Sequence, residues 1–198
     1  ALDQVMADLA PLTLDLLPGG LRRAKRRVAL LTALADLGGV WRLEEVTAAL
    51  THLADTAVDL SIKALVADEI RRGKLPGATP DDASTGAGMV ALAMGKMGAG
   101  ELNYSSDIDL ICLFDETRYQ GFEQEARASF IKVTRRMTAI LPDRDVDLGL
   151  AVVVVVHVLH RALIGLNACK LEVWRSINQL SDMHDVLRGV HPAAPCAA

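Results

Sequence analysis

The stretch Gly95-Lys96-Met97-Gly98-Ala99-Gly100-Glu101-Leu102-Asn103-Tyr104-Ser105-Ser106-Asp107-Ile108-Asp109-Leu110 constrains this chain more than any other. It sets a glycine-rich turn between two apolar runs, Gly88 to Met94 and Leu110 to Phe114. The pattern predicts a strand, a turn, and a second strand opened by an acidic pair. Successive side chains of a strand point to opposite faces, so Asp107 and Asp109 share one face while Ile108 and Leu110 turn to the core. Two carboxylates so placed can share a hard cation such as magnesium.

The neighbouring residues fit phosphate chemistry. Glycines let the backbone approach an anion, Lys96 brings a positive charge, and Ser105 and Ser106 bring hydroxyl donors. Neither the P-loop pattern G-x-x-x-x-G-K-[ST] nor the dinucleotide pattern G-x-G-x-x-G occurs, so those two nucleotide folds are set aside. A purely local reading uses the same residues: Ser105, Ser106 and Asp107 cap a turn, and Asp109 is a solvated strand-end residue.

Around this stretch the periodicity is mostly helical. Val28, Leu30, Leu31 and Leu34 predict a helix over Leu21 to Leu37, stopped by Gly38 and Gly39. A second helix is expected from Leu43 to Glu69, with Val46, Leu50, Leu53, Ala57, Leu60 and Ala64 along one stripe, ended by Gly73 and Pro76. His52 in that helix has no ligand partner at metal spacing and reads as a core or boundary residue. Arg22, Arg23, Lys25, Arg26 and Arg27 open the first helix as a solvated face or a phosphate-facing patch.

Residues 76–87 are rich in turn formers and read as a linker. After the acidic pair, Glu123 to Leu141 predicts an amphipathic helix with Ala126, Phe130, Val133, Met137 and Ile140 inward, ended by Pro142. Asp143 to Leu148 begins another extended segment. The run Val152 to Val156 then favours a buried strand, since valine is stiff at its first torsion.

With 198 residues and 51% hydrophobic content, the chain can build a sizeable core. Its net charge of -4 gives no general reason to bind nucleic acid. Cys112, Cys169 and Cys196 are odd in number and widely spaced, which predicts reduced thiols. The chain has no membrane-length apolar run and no secretory pattern at its start, and it is expected to be cytoplasmic.

The stretch Met94 to Leu110 resembles the signature of the bacterial glutamine synthetase adenylyltransferases, also called glutamate-ammonia ligase adenylyltransferase/adenylyl-removing enzymes. Asn103 followed by Ser105-Ser106-Asp107-Ile108-Asp109 is similar to their N-terminal, adenylyl-removing half. Leu21 to Leu37, Leu53-Ala54-Asp55 and Asp115-Glu116-Thr117-Arg118-Tyr119-Gln120-Gly121 extend the likeness, which covers roughly residues 12–148.

The resemblance implies an α+β fold: a helical region over 1–80, a DNA polymerase β-type nucleotidyltransferase core over 81–150, which would be incomplete, and an unmatched tail over 151–198. It also implies that Asp107, Asp109 and Asp147 are catalytic carboxylates holding magnesium, with Gly95, Lys96, Ser105 and Ser106 along the phosphate path. The activity it implies is phosphorolytic removal of AMP from an adenylyl-tyrosine of glutamine synthetase, with phosphate or an adenine nucleotide as small-molecule partner. A PII signal protein is the regulatory partner it implies.

The likeness breaks after Leu148. The family continues V-D-L-R-L-R-P, whereas Gly149, Ala151 and Val152 stand where two arginines and a proline are expected. Those arginines would bind anions, so the alternative expectation is an inactive module that keeps nucleotide or partner binding. The abrupt break is also what a truncated or frame-shifted product would show.

Overall fold

The computed structural model describes residues 1–141 in full and the backbone of residues 152–159. The elements are α1 (Leu2–Ala7), α2 (Leu17–Leu37), α3 (Leu43–Arg71), β1 (Met89–Ala93), α4 (Gly95–Gly98), β2 (Ile108–Asp115), α5 (Glu123–Ile140) and β3 (Val152–Leu159). The fold is α+β. Short 3-10 segments, Pro80–Gly88 and Glu116–Tyr119, lead into β1 and out of β2.

Glycine ends the two long helices by the same device. At the end of α2 the Val40 and Gly39 amides donate to the Ala35 and Asp36 carbonyls. At the end of α3 the Lys74 and Gly73 amides donate to Glu69 and Ile70. Gly39 and Gly73 take φ of +64° and +65°, the left-handed turn that closes such an end. The C-terminal boundary expected for the first helix holds at Leu37, α3 runs two residues beyond the expected Glu69, and α2 starts four residues earlier, with Pro18 in its first turn.

The expected inward stripe of α3 is displaced. Val46 and Ala57 are buried, but Leu50, Leu53, Leu60 and Ala64 pack only partly, and the deepest positions include Val58, Ile62, Leu65 and Val66. The reason is that α3 has neighbours on two sides. It packs on α2 and also on α5 and the Pro80–Gly88 segment, so its buried arc is wider than a single stripe.

β1 and β2 pair antiparallel, with Val90 opposite Leu113 and Leu92 opposite Ile111. β2 and β3 pair parallel, with Asp109 opposite Val153, and the sheet order is β1-β2-β3. The valine run thus forms the strand its stiffness favours. Along β2 the burial alternates, placing Ile108, Leu110, Cys112 and Phe114 in the core. Ala126, Phe130, Val133 and Met137 of α5 meet them there. The Phe114 and Phe130 rings stack at 4.7 Å, Tyr119 meets Phe130 edge-on at 5.7 Å, and the Tyr119 hydroxyl donates to the Ala87 carbonyl.

Two acids are buried where α3 meets α5. Glu69 is 1% exposed, with Lys132 Nζ at 2.8 Å and Arg136 at 3.4 Å. The Asp68 carboxylate accepts from Arg136 at 2.6 Å and from Arg71. Arg72 stands within 4 Å of both acids. Lys132 and Arg136 of α5 reach back to α3. Burying carboxylates is costly unless they are paired, and here cations and hydrogen bonds compensate both.

Candidate functional site

The acidic pair is carried by the start of β2. Asp109 is its second residue and half-buried, and Asp107 lies just before the strand and is exposed. Ile108 and Leu110, between and beyond them, are buried, as the alternation requires. β1 is tied to this end of β2 by the Met94 amide, which donates to the Asp109 carbonyl at 2.9 Å.

Gly95 follows at φ +54°, and a Cβ built there would stand 3.6 Å from Asp109 Oδ2. The backbone therefore runs directly beside that carboxylate. Gly98 is required for a different reason. Its Cβ would lie 2.5 Å from the Ala93 carbonyl oxygen, so only glycine lets α4 fold back on the end of β1. Gly100, at φ +75°, ends α4, with the Glu101 amide donating to Lys96 and the Gly100 amide to Met97. Met97 and Leu102 anchor the turn in the core, and the Leu102 amide donates to Thr51 Oγ1 of α3 at 3.2 Å.

Asn103 organises the last part of the turn. Its Oδ1 accepts from the Ser105 amide at 3.0 Å, the Ser105 hydroxyl at 3.2 Å and the Ser106 hydroxyl at 2.8 Å. Its own amide donates to Ser106 Oγ at 3.0 Å. Both serine hydroxyls thus serve the local turn in this state. Lys96 is exposed on α4.

Gly95 thus lies beside Asp109 at the start of β2, with Lys96 on the adjoining helical turn, while Ser105 and Ser106 are held on Asn103 in the turn that leads through Asp107 into the strand. Asp147 lies outside the described residues. The strand register sets Val153 beside Asp109. Among the described residues no three His, Cys, Asp or Glu side chains gather as a metal site. The donor type of the pair, hard carboxylate oxygens two residues apart in sequence, suits magnesium in chemistry, and Gly95 keeps side-chain bulk away from Asp109.

Two residues absent from the sequence-predicted site are structural to it. Asn103 was legible as the first residue of an N-x-S-S pattern, which is how an asparagine side chain caps a turn. Thr51, 51 positions before its partner Leu102, had no local signal. His52, expected at the core or its boundary, is exposed and lines a recess with Gly98, Ala99 and Gly100. The basic run divides: Arg23, Arg26 and Arg27 are exposed, with Arg27 paired to Asp8 at 3.1 Å. Arg22 and Lys25 instead line a cavity of about 130 Å³ beneath the Asn103–Ser106 turn.

Cys112 sits in the core of β2, 1% exposed. Burial pushes its thiol up to about 11, opposed only by the nearby Thr134 hydroxyl. It packs as a small apolar group. Cys169 and Cys196 lie outside the described residues, as do the side chains of His157 and the valine run.

The chain is matched over residues 1–150, which include the glycine turn and both aspartates, by the family model described as "Glutamate-ammonia ligase adenylyltransferase". The chain belongs to that family of adenylyltransferases. Among curated relatives it is 48% identical over 128 residues to the "Bifunctional glutamine synthetase adenylyltransferase/adenylyl-removing enzyme" of Bradyrhizobium sp. strain BTAi1, covering 64% of this chain and 13% of that protein. Identity and coverage are the same for the protein of that name in Bradyrhizobium diazoefficiens. For the one in Rhodopseudomonas palustris strain CGA009 it is 43% identical over 134 residues, covering 67% of this chain and 14% of that protein. The chain therefore spans about 13% of the length of the first of these relatives. Among the described residues no helix is long and apolar enough to cross a membrane.

Proposed function

We propose that this chain carries a nucleotidyltransferase core of the DNA polymerase β type and acts on glutamine synthetase, removing AMP from an adenylyl-tyrosine by phosphorolysis. One observation carries the reading. Asp109 is the second residue of β2, Asp107 immediately precedes the strand, and the Gly95 backbone lies against Asp109 Oδ2. The names of the relatives supply the substrate and both reaction directions. An acidic pair beside a glycine turn supplies the chemistry.

Asp107 and Asp109 would hold magnesium, which when bound neutralises and orients phosphoryl oxygens. Gly95 keeps the approach to Asp109 open. Lys96, on α4, adds positive charge to the path of the incoming anion. The Ser105 and Ser106 hydroxyls, poised on Asn103, can exchange that acceptor for a phosphate oxygen without moving the backbone. In the reaction a phosphate oxygen bonds to the adenylyl phosphorus and the bond from that phosphorus to the tyrosine oxygen breaks. The tyrosine oxygen gains a proton, and ADP and the unmodified synthetase leave. Asp147 as a third carboxylate and a PII signal protein as regulator belong to the same reading.

A second reading also has an observation behind it. The register sets Val153, not an acidic residue, beside Asp109, which favours a module that binds nucleotide without turning it over. One assay separates the two. The chain is incubated with adenylylated glutamine synthetase, phosphate and magnesium, and ADP is measured. ADP release that disappears in Asp107→Asn supports phosphorolysis. Magnesium-dependent binding of ADP with no release supports the second reading, and release unchanged in Asp107→Asn overturns the first.

A further inference from the structure

Beneath the Asn103–Ser106 turn lies a cavity of about 130 Å³. Its apolar walls come from several elements: Leu21 of α2, Leu53 and Ala57 of α3, Ile108 of β2 and Ile140 of α5. Apolar cavities of about 150 Å³ bounded by such side chains stay dry and take up benzene. The space therefore fits an apolar body the size of one six-membered ring.

The charge on the walls is of one sign. Arg22 and Lys25 line the cavity from one face of α2, three residues apart, and the described residues around it include no acid. The nearest acids along the chain, Asp55, Glu101 and Asp107, each adjoin a lining residue without lining the cavity themselves. Asp55 instead lines recesses toward β1 and α4. α2 carries a single acid, Asp36, about three turns beyond Lys25. Asn103 also lines the cavity, and because its Oδ1 is taken by Ser105 and Ser106, its NH2 group is left to donate. Apolar walls with cations and an amide donor set among them select a ligand with an apolar body and a negative head.

We propose that this cavity binds a small amphipathic anion, its ring-sized apolar body between α2, α3 and α5 and its carboxylate or phosphate group on Arg22 and Lys25. The site holds whether or not the acidic pair turns over nucleotide. Ser106 and Ile108, on either side of Asp107, both line it, so an occupant bears on the turn that leads into β2.

Phenylacetate is the probe, titrated into the full chain without magnesium and followed by calorimetry and by backbone amide shifts. Saturable binding with a Kd of about 1 mM is expected, with shift changes centred on Arg22, Ala29, Leu53 and Ser106. Benzyl alcohol, which keeps the ring, and acetate, which keeps the charge, should each bind at least about tenfold more weakly. Arg22→Gln should weaken phenylacetate by at least about fivefold with the thermal melt unchanged. Ala29→Phe, which fills the cavity, should abolish binding, and the shift map fixes the location even where that variant fails to fold. Absence of saturation up to about 10 mM overturns the proposal. So do shifts centred elsewhere, benzyl alcohol binding as well as phenylacetate, or Arg22→Gln without effect.

Discussion

At the α3–α5 junction two carboxylates, Asp68 and Glu69, are buried and met by Arg71, Arg72, Lys132 and Arg136. At the start of β2 two other carboxylates, Asp107 and Asp109, stand exposed and half-exposed beside a glycine turn. The first pair is neutralised by the fold, and its charge is spent on holding two helices together. The second pair is set at the surface, where something that is not part of the core can meet it. The same residue type is thus enclosed by the architecture in one place and left accessible in the other, and the difference lies in what the neighbouring elements bring.

The contrast breaks most sharply at Asp107. Asp107→Asn is expected to lower magnesium-dependent ADP release by at least about 100-fold, while unfolding free energy changes by less than about 0.5 kcal/mol. Steady-state rates and a denaturant melt on the same sample check both halves. Arg136→Ala should behave in the opposite way, costing about 3 kcal/mol, because it leaves Asp68 and Glu69 buried with fewer partners. Turnover by the molecules that remain folded should be little affected.

Gly98→Ala would strike both regions' roles at once. Its Cβ meets the Ala93 carbonyl oxygen at 2.5 Å, and the displacement needed is expected to cost about 2 kcal/mol and to shift the turn that leads to Asp107. A thermal melt beside the activity assay reads both effects. Asn103→Ala is a milder probe. It removes the acceptor for Ser105 and Ser106 and should cost about 1 kcal/mol, with slower turnover from the freed hydroxyls. Asn103→Asp, which keeps the acceptor, should recover most of the stability.

The smallest effect is electrostatic. The hydrogen bond from Arg136 holds the Asp68 carboxyl below the usual carboxylate range, with Arg71 adding to it and burial opposing. The unfolded chain, with an aspartate value of about 3.9, therefore takes up the proton first. Stability from this group is present above about pH 4 and is lost as the pH falls through the lower folded value. Urea melts at neutral and acid pH should show that loss, and in Arg136→Ala the slope should be shallower.

Much of this was legible in the sequence because the decisive signals are local. The two-residue alternation around Asp107 and Asp109, the glycines after Leu37 and Arg71, and the apolar face of α5 each depend on neighbours a few positions away. What was not legible depends on distant partners. The rotation of the α3 stripe needs α2 and α5 on either side, and Thr51 needs Leu102. Nothing within α5 itself reveals that Lys132 and Arg136 meet Asp68 and Glu69. Of the candidate site, the turn and the pair were readable from spacing, whereas the hydroxyl bonds to Asn103 required the folded turn.

The sheet order has a consequence in time. β1 and β2 can pair as soon as residue 115 has left the ribosome, since they are joined by a short antiparallel connection. β2's other edge waits for β3, which begins 37 residues after β2 ends, with α5 in between. During that interval the growing chain presents an unpaired strand edge lined by Ile111 and Leu113, the type of edge that recruits foreign strands. Synthesis that pauses between α5 and the valine run would therefore lengthen the period in which this polypeptide is open to aggregation.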